Sequence, residues 1–390
     1  PRYFGESRPV VPPFVDEEPL PVPDAEIRIV DFSRGWPQPD STHTYFPSGG
    51  GPAVDLPIRL AFDPARGQVA FAPGREPARL RAVWAFGFPA ELGGGPYDRQ
   101  SEARAVDPGS LDWQIGVSRL RDPVAGVIVQ SLQEAVDGWN ALPPGSRGMI
   151  VLMDSMRYAE SLAGSGRVRI PEGSHLTVIA ADWPEQETDP GIFERLPGVY
   201  APGNLWPHLM GELEVEGTAP QDSDNPGALH LEGVLLEGSL RVLPGHLGGL
   251  TLSHCGMALD GSHRLEVLAG PAGGNPELRV AGWKSILAPL EGLTDNTGWL
   301  LEHCSVGTPG DPSAPAVRTP GAPLEMTGCT VWGRVQCRRI EGSDCLFLGR
   351  IESTRRQTGC LRYSHVPLGS VVPRQFRCQP ALAIEQAQAE

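Results

Sequence analysis

The chain has 390 residues, 40% of them apolar and 20% charged, with a formal charge of −15. That apolar content supports a sizeable core and excludes wholesale disorder, while 48 Gly and 41 Pro argue against long helices. No apolar run reaches the roughly 18 residues of a membrane-spanning helix, and the basic residues (31 Arg and the single Lys284) form no run of the kind that binds DNA or RNA.

Residues 1–25 carry Pro at 1, 9, 12, 13, 19, 21 and 23 and read as an extended arm, expected to lie along another surface or a neighbouring subunit. The opening Pro1-Arg2-Tyr3-Phe4-Gly5 shows no apolar signal-peptide stretch. Residues 26–125 read as a small β-rich domain, with short strands at 27–30, 56–62, 68–71 and 80–88. Asp63-Pro64-Ala65-Arg66-Gly67 marks a hairpin turn. Gly93-Gly94-Gly95 reads as a tight turn; a phosphate cradle would need a following Gly-Lys-Ser/Thr and a helix, and neither is there.

Residues 126–166 form a cap region around the one clear helix, 131–142. Ser131 and Glu134 make a capping-box pattern, Leu132, Val136, Trp139 and Leu142 share a face, and Pro143-Pro144 ends the run. Met149–Met153 follows as a buried strand. Residues 167–358 then change texture. Short alternating strands recur at 229–233, 250–255, 299–304, 324–329 and 340–345, each reaching a Cys or another small residue. The steps from Cys255 to Cys304, Cys329 and Cys345 are 49, 25 and 16 residues, the first being two turns of a period in the twenties. A second lane follows at 235–242, 286–290, 331–335 and 347–351. Two lanes per turn with inward Leu, Val, Ile and Cys describe an all-β solenoid, a parallel β-helix, in which Cys fits a crowded interior column because it is small and apolar. The helix is the expected cover for its first open edge, and 359–390 is a tail.

Several stretches resemble uncharacterised bacterial β-helix proteins encoded near phage-tail-like or contractile-injection gene clusters. They are Phe86-Gly87-Phe88 through Arg99, His254-Cys255, Gly359-Cys360-Leu361-Arg362-Tyr363-Ser364, Val366-Pro367 and Arg377-Cys378-Gln379-Pro380. The resemblance covers about residues 55–380. It implies a right-handed, pectin-lyase-like coil and a particle-associated structural role, and it supplies no catalytic residues.

Candidate chemistry is sparse. Glu214, Glu216, Glu232, Glu237, Glu266, Glu302, Glu325 and Glu341 occupy polar positions as solvated residues do. Stacked turns bringing Glu302 near Glu325 would suit the paired carboxylates of a glycosidase. His254 and His303 precede Cys; inward Cys sends the His outward, which argues against a shared metal ion. Cys360 and Cys378 are either a disulfide, if the protein is exported, or two free thiols. Trp84, Trp139, Trp183, Trp206, Trp283, Trp299 and Trp332 serve packing or, alternatively, sugar stacking. No residue is assigned a catalytic, cofactor or metal role. The expected function is a non-enzymatic structural or interaction protein in a multi-subunit assembly, with protein partners or self-assembly through the arm and β-rich domain, no nucleic acid and no membrane span. The alternatives are a carbohydrate-active or glycan-binding β-helix, or a surface fibre.

Overall fold

The computed structural model describes residues 13–16, 18, 22–35, 37–45, 52–63, 66–82, 94, 98–99, 110–270, 274–292 and 298–389. The chain divides into two compact units, Pro1–Ala90 and Glu91–Glu390.

The first unit is built from short strands. Leu60–Asp63 pairs in parallel with Ile27–Ile29 and antiparallel with Gln68–Phe71, which closes the hairpin expected at Asp63–Gly67. Thr42–Tyr45 pairs with Val54–Pro57. The strand expected over 56–62 is broken after Pro57, where the chain passes from one sheet to another through buried Ile58. The proline-rich arm differs from expectation. Pro13–Val15 pairs antiparallel with Leu80–Ala82, and Val15 and Val22 are buried with Leu60, so these residues belong to the unit's own core. Arm residues 1–12 and strand residues 83–88 lie outside the described residues.

The second unit is all-β, parallel and solenoid-like, and strands take 45% of the chain. Its turns stack in three lanes. Lane A runs through Arg147–Leu152, His175–Ala180, Ala228–Glu232, Gly249–Ser253, Arg279–Trp283 and Gly298–Glu302, each parallel to the next. It continues into the later parts of Pro315–Thr327 and Arg334–Ser343. Lane B comprises Arg157–Tyr158, His208–Met210, Leu235–Glu237, Gly256–Met257, Ile286–Leu287, Ser305–Gly307, Thr330–Trp332 and Leu346–Phe347. Lane C runs from Val168–Ile170 through Leu213–Gly217, Leu240–Val242, Leu265–Val267 and Leu290–Gly292 into the long strands, then Ile351–Ser353. The sequence shows two lanes because 235–242 reads as one continuous run. The chain instead bends at Gly238-Ser239, where a Cβ on Gly238 would lie 1.9 Å from the Gly211 carbonyl oxygen.

Alternation puts like residues above one another inside. One lane A column reads Leu176, Leu229, Leu250, Val280, Trp299, Leu324 and Ile340, all buried. Lane B contributes Leu209, Leu236, Met257, Leu287, Val306, Val331 and Phe347. Each turn therefore buries its apolar face only against its two neighbours, and a terminal turn needs a cover.

Helix α1 (Leu132–Asn140) supplies it at one end. Leu132, Ala135, Val136 and Trp139 are buried. Strand Val168–Ile170 pairs with Leu213–Gly217 on one side, and α1 engages the backbone beside it: Trp139 Nε1 donates to Arg169 O (2.7 Å), Asn140 Nδ2 to Arg167 O (2.9 Å), and Arg169 N donates to Asn140 Oδ1 (2.9 Å). Ser131 accepts the Glu134 N–H, as its capping pattern predicts. Glu160 also takes the Gln133 N–H at 2.7 Å, placing a carboxylate at the helix N-terminus.

Two boundaries move. Trp113–Val117, expected in the N-terminal domain, pairs with Arg147–Leu152 and extends lane A. Residues beyond 358, expected as a tail, continue the stack: Cys360–Arg362 pairs with Arg334–Ser343 and with Arg374–Phe376, and Gln379 bridges His365. Only α2 (Ala381–Ala389) follows. Among the described residues no helix is long and apolar enough to cross a membrane.

Candidate functional site

The most regular chemical feature of the stack is its corner between lanes A and B. From Glu232 onward, each passage turns on one left-handed residue. These are Gly233 (φ 71°), His254 (52°), Lys284 (45°), His303 (51°), Gly328 (61°), Asp344 (57°), Tyr363 (48°) and Arg377 (51°). Most are not glycine, although the left-handed region is costly for a residue with a Cβ. The extra residue resets the strand's alternation and turns the next side chain inward. In register, those next residues form one buried column: Val234, Cys255, Ser285, Cys304, Cys329, Cys345, Ser364 and Cys378.

The hydrogen bonds explain the residue type. Cys255 N–H donates to Ser285 Oγ (3.0 Å), Cys304 N–H to Cys329 Sγ (3.5 Å) and Cys345 N–H to Ser364 Oγ (3.0 Å). The same side chains donate to carbonyls at the corner, Ser285 Oγ to Trp283 O at 2.8 Å and Cys329 Sγ to Thr327 O at 3.3 Å. From Cys255 onward the column thus holds small groups that can both donate and accept, a property that Ser shares with Cys and that Val234, which begins the column, lacks. Burial pushes the Cys255 thiol up to about 12. Hydrogen bonding to neighbouring thiols raises Cys329 and Cys345 as well. Such thiols are inert, because the thiolate is the reactive form.

Gly94 and Arg99 lie against this corner. A Cβ on Gly94 would sit 2.2 Å from Ser285 O, and Gly94 N–H donates to Ser305 Oγ (3.0 Å). This glycine therefore permits close backbone approach, whereas Gly93 and Gly95 lie outside the described residues. Arg99, 3% exposed, donates to Ala180 O (2.6 Å) and Leu205 O (3.2 Å), stands 3.9 Å from Glu232 and packs on Gly233. Desolvation holds its pKa below the usual guanidinium value. His254 sits in the turn between these two contacts and is buried, in contrast to the outward position that alternation alone predicted. Lys284 separates His254 from His303 in the corner column, and the Cys of each pair points the other way, into the core. Among the described residues no three His, Cys, Asp or Glu side chains are grouped to hold a metal ion.

The carboxylates are laterally engaged. Glu216 accepts from Arg167 (2.7 Å), Glu266 from Arg241 (3.0 Å) and Glu325 from Arg339 (3.0 Å). Glu214 takes the Gly164 N–H (2.8 Å), Glu237 faces His208 (3.0 Å) and Glu341 stands 3.7 Å from Arg362. Glu302 and Glu325 do not stack: Glu302 lies opposite Thr327 and Glu325 opposite Leu300. Two adjacent pairs are not apparent in the sequence: Glu266 and Glu291 are direct register partners, and so are Glu325 and Glu341. Arg241 and Arg318 bind Glu266 and Glu291 from either side, so that the two carboxylates are flanked by a cation on each neighbouring turn.

The described tryptophans are mostly structural. Trp139, Trp183 and Trp299 are buried, Trp283 stacks edge-on with His303 at 5.7 Å, and Trp206 lies under the Arg99 guanidinium at 5.7 Å. Trp84 lies outside the described residues. A groove of about 620 Å³ crosses the outer face of lane A between Glu277, Arg279, Leu300 and Glu325. Trp299 contributes to its wall, but with its side chain 2% exposed it offers no open ring to a sugar. Cys360 and Cys378 are both free. Cys360 pairs in register with Arg374, four residues short of Cys378, and Cys378 belongs to the buried corner column, so the two thiols do not meet.

No protein-family model, curated protein or solved structure matches this chain.

Proposed function

We propose that residues 113–379 form a right-handed parallel β-helix that acts as a non-enzymatic scaffold, a structural component of a phage-tail-like or other multi-subunit assembly. The observation carrying this reading is the outer carboxylate arrangement. Where register brings two carboxylates together, at Glu266 and Glu291 and at Glu325 and Glu341, an arginine stands against each of them. A glycosidase needs one carboxyl group free to give a proton and another free to attack or activate water. Here the charges instead tie turn to turn. The corner column and the α1 cover serve the same end, a stack held rigid along its length.

The test is incubation of purified full-length chain with a panel of neutral, acidic and sulfated polysaccharides, read by reducing-end release and by absorbance of unsaturated products. No turnover above a heat-denatured control is expected. Efficient release from any one glycan refutes the scaffold reading.

A further inference from the structure

Charge is divided unequally along the stack. Residues 110–333 carry 27 carboxylates against 12 basic side chains, a net −15. Residues 334–378 carry nine Arg against three carboxylates, a net +6. The basic end is also apolar. Tyr363 (54% exposed), Leu368 (64%), Val371 and Phe376 stand out from the last turns among exposed Arg362, Arg374 and Arg377. The strand Arg374–Phe376 pairs with Cys360–Arg362 on one side, and all three of its residues are exposed. An exposed strand edge flanked by apolar side chains is a template for association.

The complementary surface is on the same chain. The antiparallel hairpin of Gln186–Asp189 and Ile192–Glu194 projects from an early turn with every residue exposed. It carries Glu187, Asp189 and Glu194, and presents Ile192 and Phe193 (60% exposed) beside its tip. Eight strand spacings separate its turn from Arg374–Phe376. At about 4.8 Å each that is roughly 38 Å, so the hairpin of one copy does not reach the terminal turns of the same copy.

We propose that copies of this chain join head to tail, the acidic hairpin 186–194 of one copy seating on the basic, apolar terminal turns of the next. The inference rests on the scaffold reading above and names its partner as a second copy. Two different patches meet, so the interface is heterologous and propagates into chains or rings. Apolar side chains at both surfaces supply the buried contact, and opposite charge supplies orientation and a salt-dependent rate.

The test uses full-length protein in sedimentation equilibrium and mass photometry, from low salt to about 0.5 M salt, where exposed charges are strongly screened. The expected result is concentration-dependent oligomers that weaken as salt rises. Phe193→Glu, which blocks only the hairpin, and the double variant Leu368→Glu/Arg374→Glu, which blocks only the terminal turns, are each expected to be monomeric, with association weakened by about thirtyfold or more. Mixed together they should form a one-to-one dimer, since each retains the surface the other lacks. All three positions are exposed, and unchanged thermal melts by circular dichroism confirm folding. A wild-type chain that stays monomeric, oligomers insensitive to both variants, or variants that fail to pair when mixed each overturn the proposal. So does a monomeric chain that binds polyglutamate at its terminal turns, which would make the occupant a different acidic partner. A monomer without glycan turnover leaves the scaffold reading standing; glycan turnover strikes that reading itself.

Discussion

Ser285→Ala removes one oxygen from the corner column. In the wild type that oxygen takes the Cys255 N–H at 3.0 Å and gives its proton to Trp283 O at 2.8 Å, with no solvent exposure. Alanine fits the space but leaves a buried N–H without an acceptor, which costs about 1–3 kcal/mol. Adjacent turns contact only one another, so the loss is local and is best read by hydrogen exchange at the Cys255 amide rather than by one global midpoint. An energy of that size corresponds to exchange faster by about 5- to 150-fold. Ser285→Cys places a thiol where Cys304 and Cys329 already work, and should recover most of the protection. If Ser285→Ala leaves the amide protected, or if Ser285→Cys is as damaging as Ala, the column selects size alone and the hydrogen-bond account fails.

Three further outcomes are expected. With the other thiols buried, a small alkylating reagent at pH 8 should modify half-buried Cys360 in the native chain and leave Cys255, Cys304, Cys329, Cys337, Cys345 and Cys378 unmodified until denaturant is added, as peptide mapping would reveal. The Cys255 and Cys337 thiols, moved by burial from 9.0 up to about 12, keep their protons longer in the folded than in the unfolded chain. Their contribution to stability is therefore complete below about pH 9 and declines from there towards pH 12; denaturation midpoints across that window should fall less steeply in Cys255→Ser. Finally, Arg99→Ala leaves Glu232 without its buried neighbour and two carbonyls without donors, at a cost of about 2–4 kcal/mol. Gly233→Ala would put a Cβ 2.1 Å from Arg99 Cζ and should expel the same side chain. The double variant is expected to be little worse than either single one; full additivity in urea titrations would show that the two do not share one contact.

The parts of this fold that were legible in the sequence are those with a period. Alternating Leu and Val, the Cys steps and the helix between Ser131 and Pro143 each leave a local pattern, and each corresponds to a column or a cap in the structure. The third lane was hidden because only Gly238-Ser239 separates it from the second. The serines of the corner column are not apparent in the sequence because the Cys steps mark only its sulfur-bearing members, while the position selects for hydrogen bonding. The left-handed corners were illegible for a related reason: His254, Lys284, His303, Tyr363 and Arg377 carry no glycine signal, and the conformation is imposed by turns stacked on either side. Arg99 reaches Gly233 across 134 positions of chain, a pairing no local pattern records. The Arg-bound pair Glu266 and Glu291 leaves no local pattern either, because register alone brings the two together.

Successive members of one interior column, Leu229, Leu250, Val280, Trp299, Leu324 and Ile340, are separated by 21, 30, 19, 25 and 16 residues, yet each sits directly on the last. The surplus chain of a long turn leaves sideways, as loops, without lifting the turn above it. Height and girth are consequently independent in this architecture: the number of turns sets one, and the loops set the other. A loop can be lengthened, recharged or given a new binding tip while the spacing between the first and last turns of the stack stays the same.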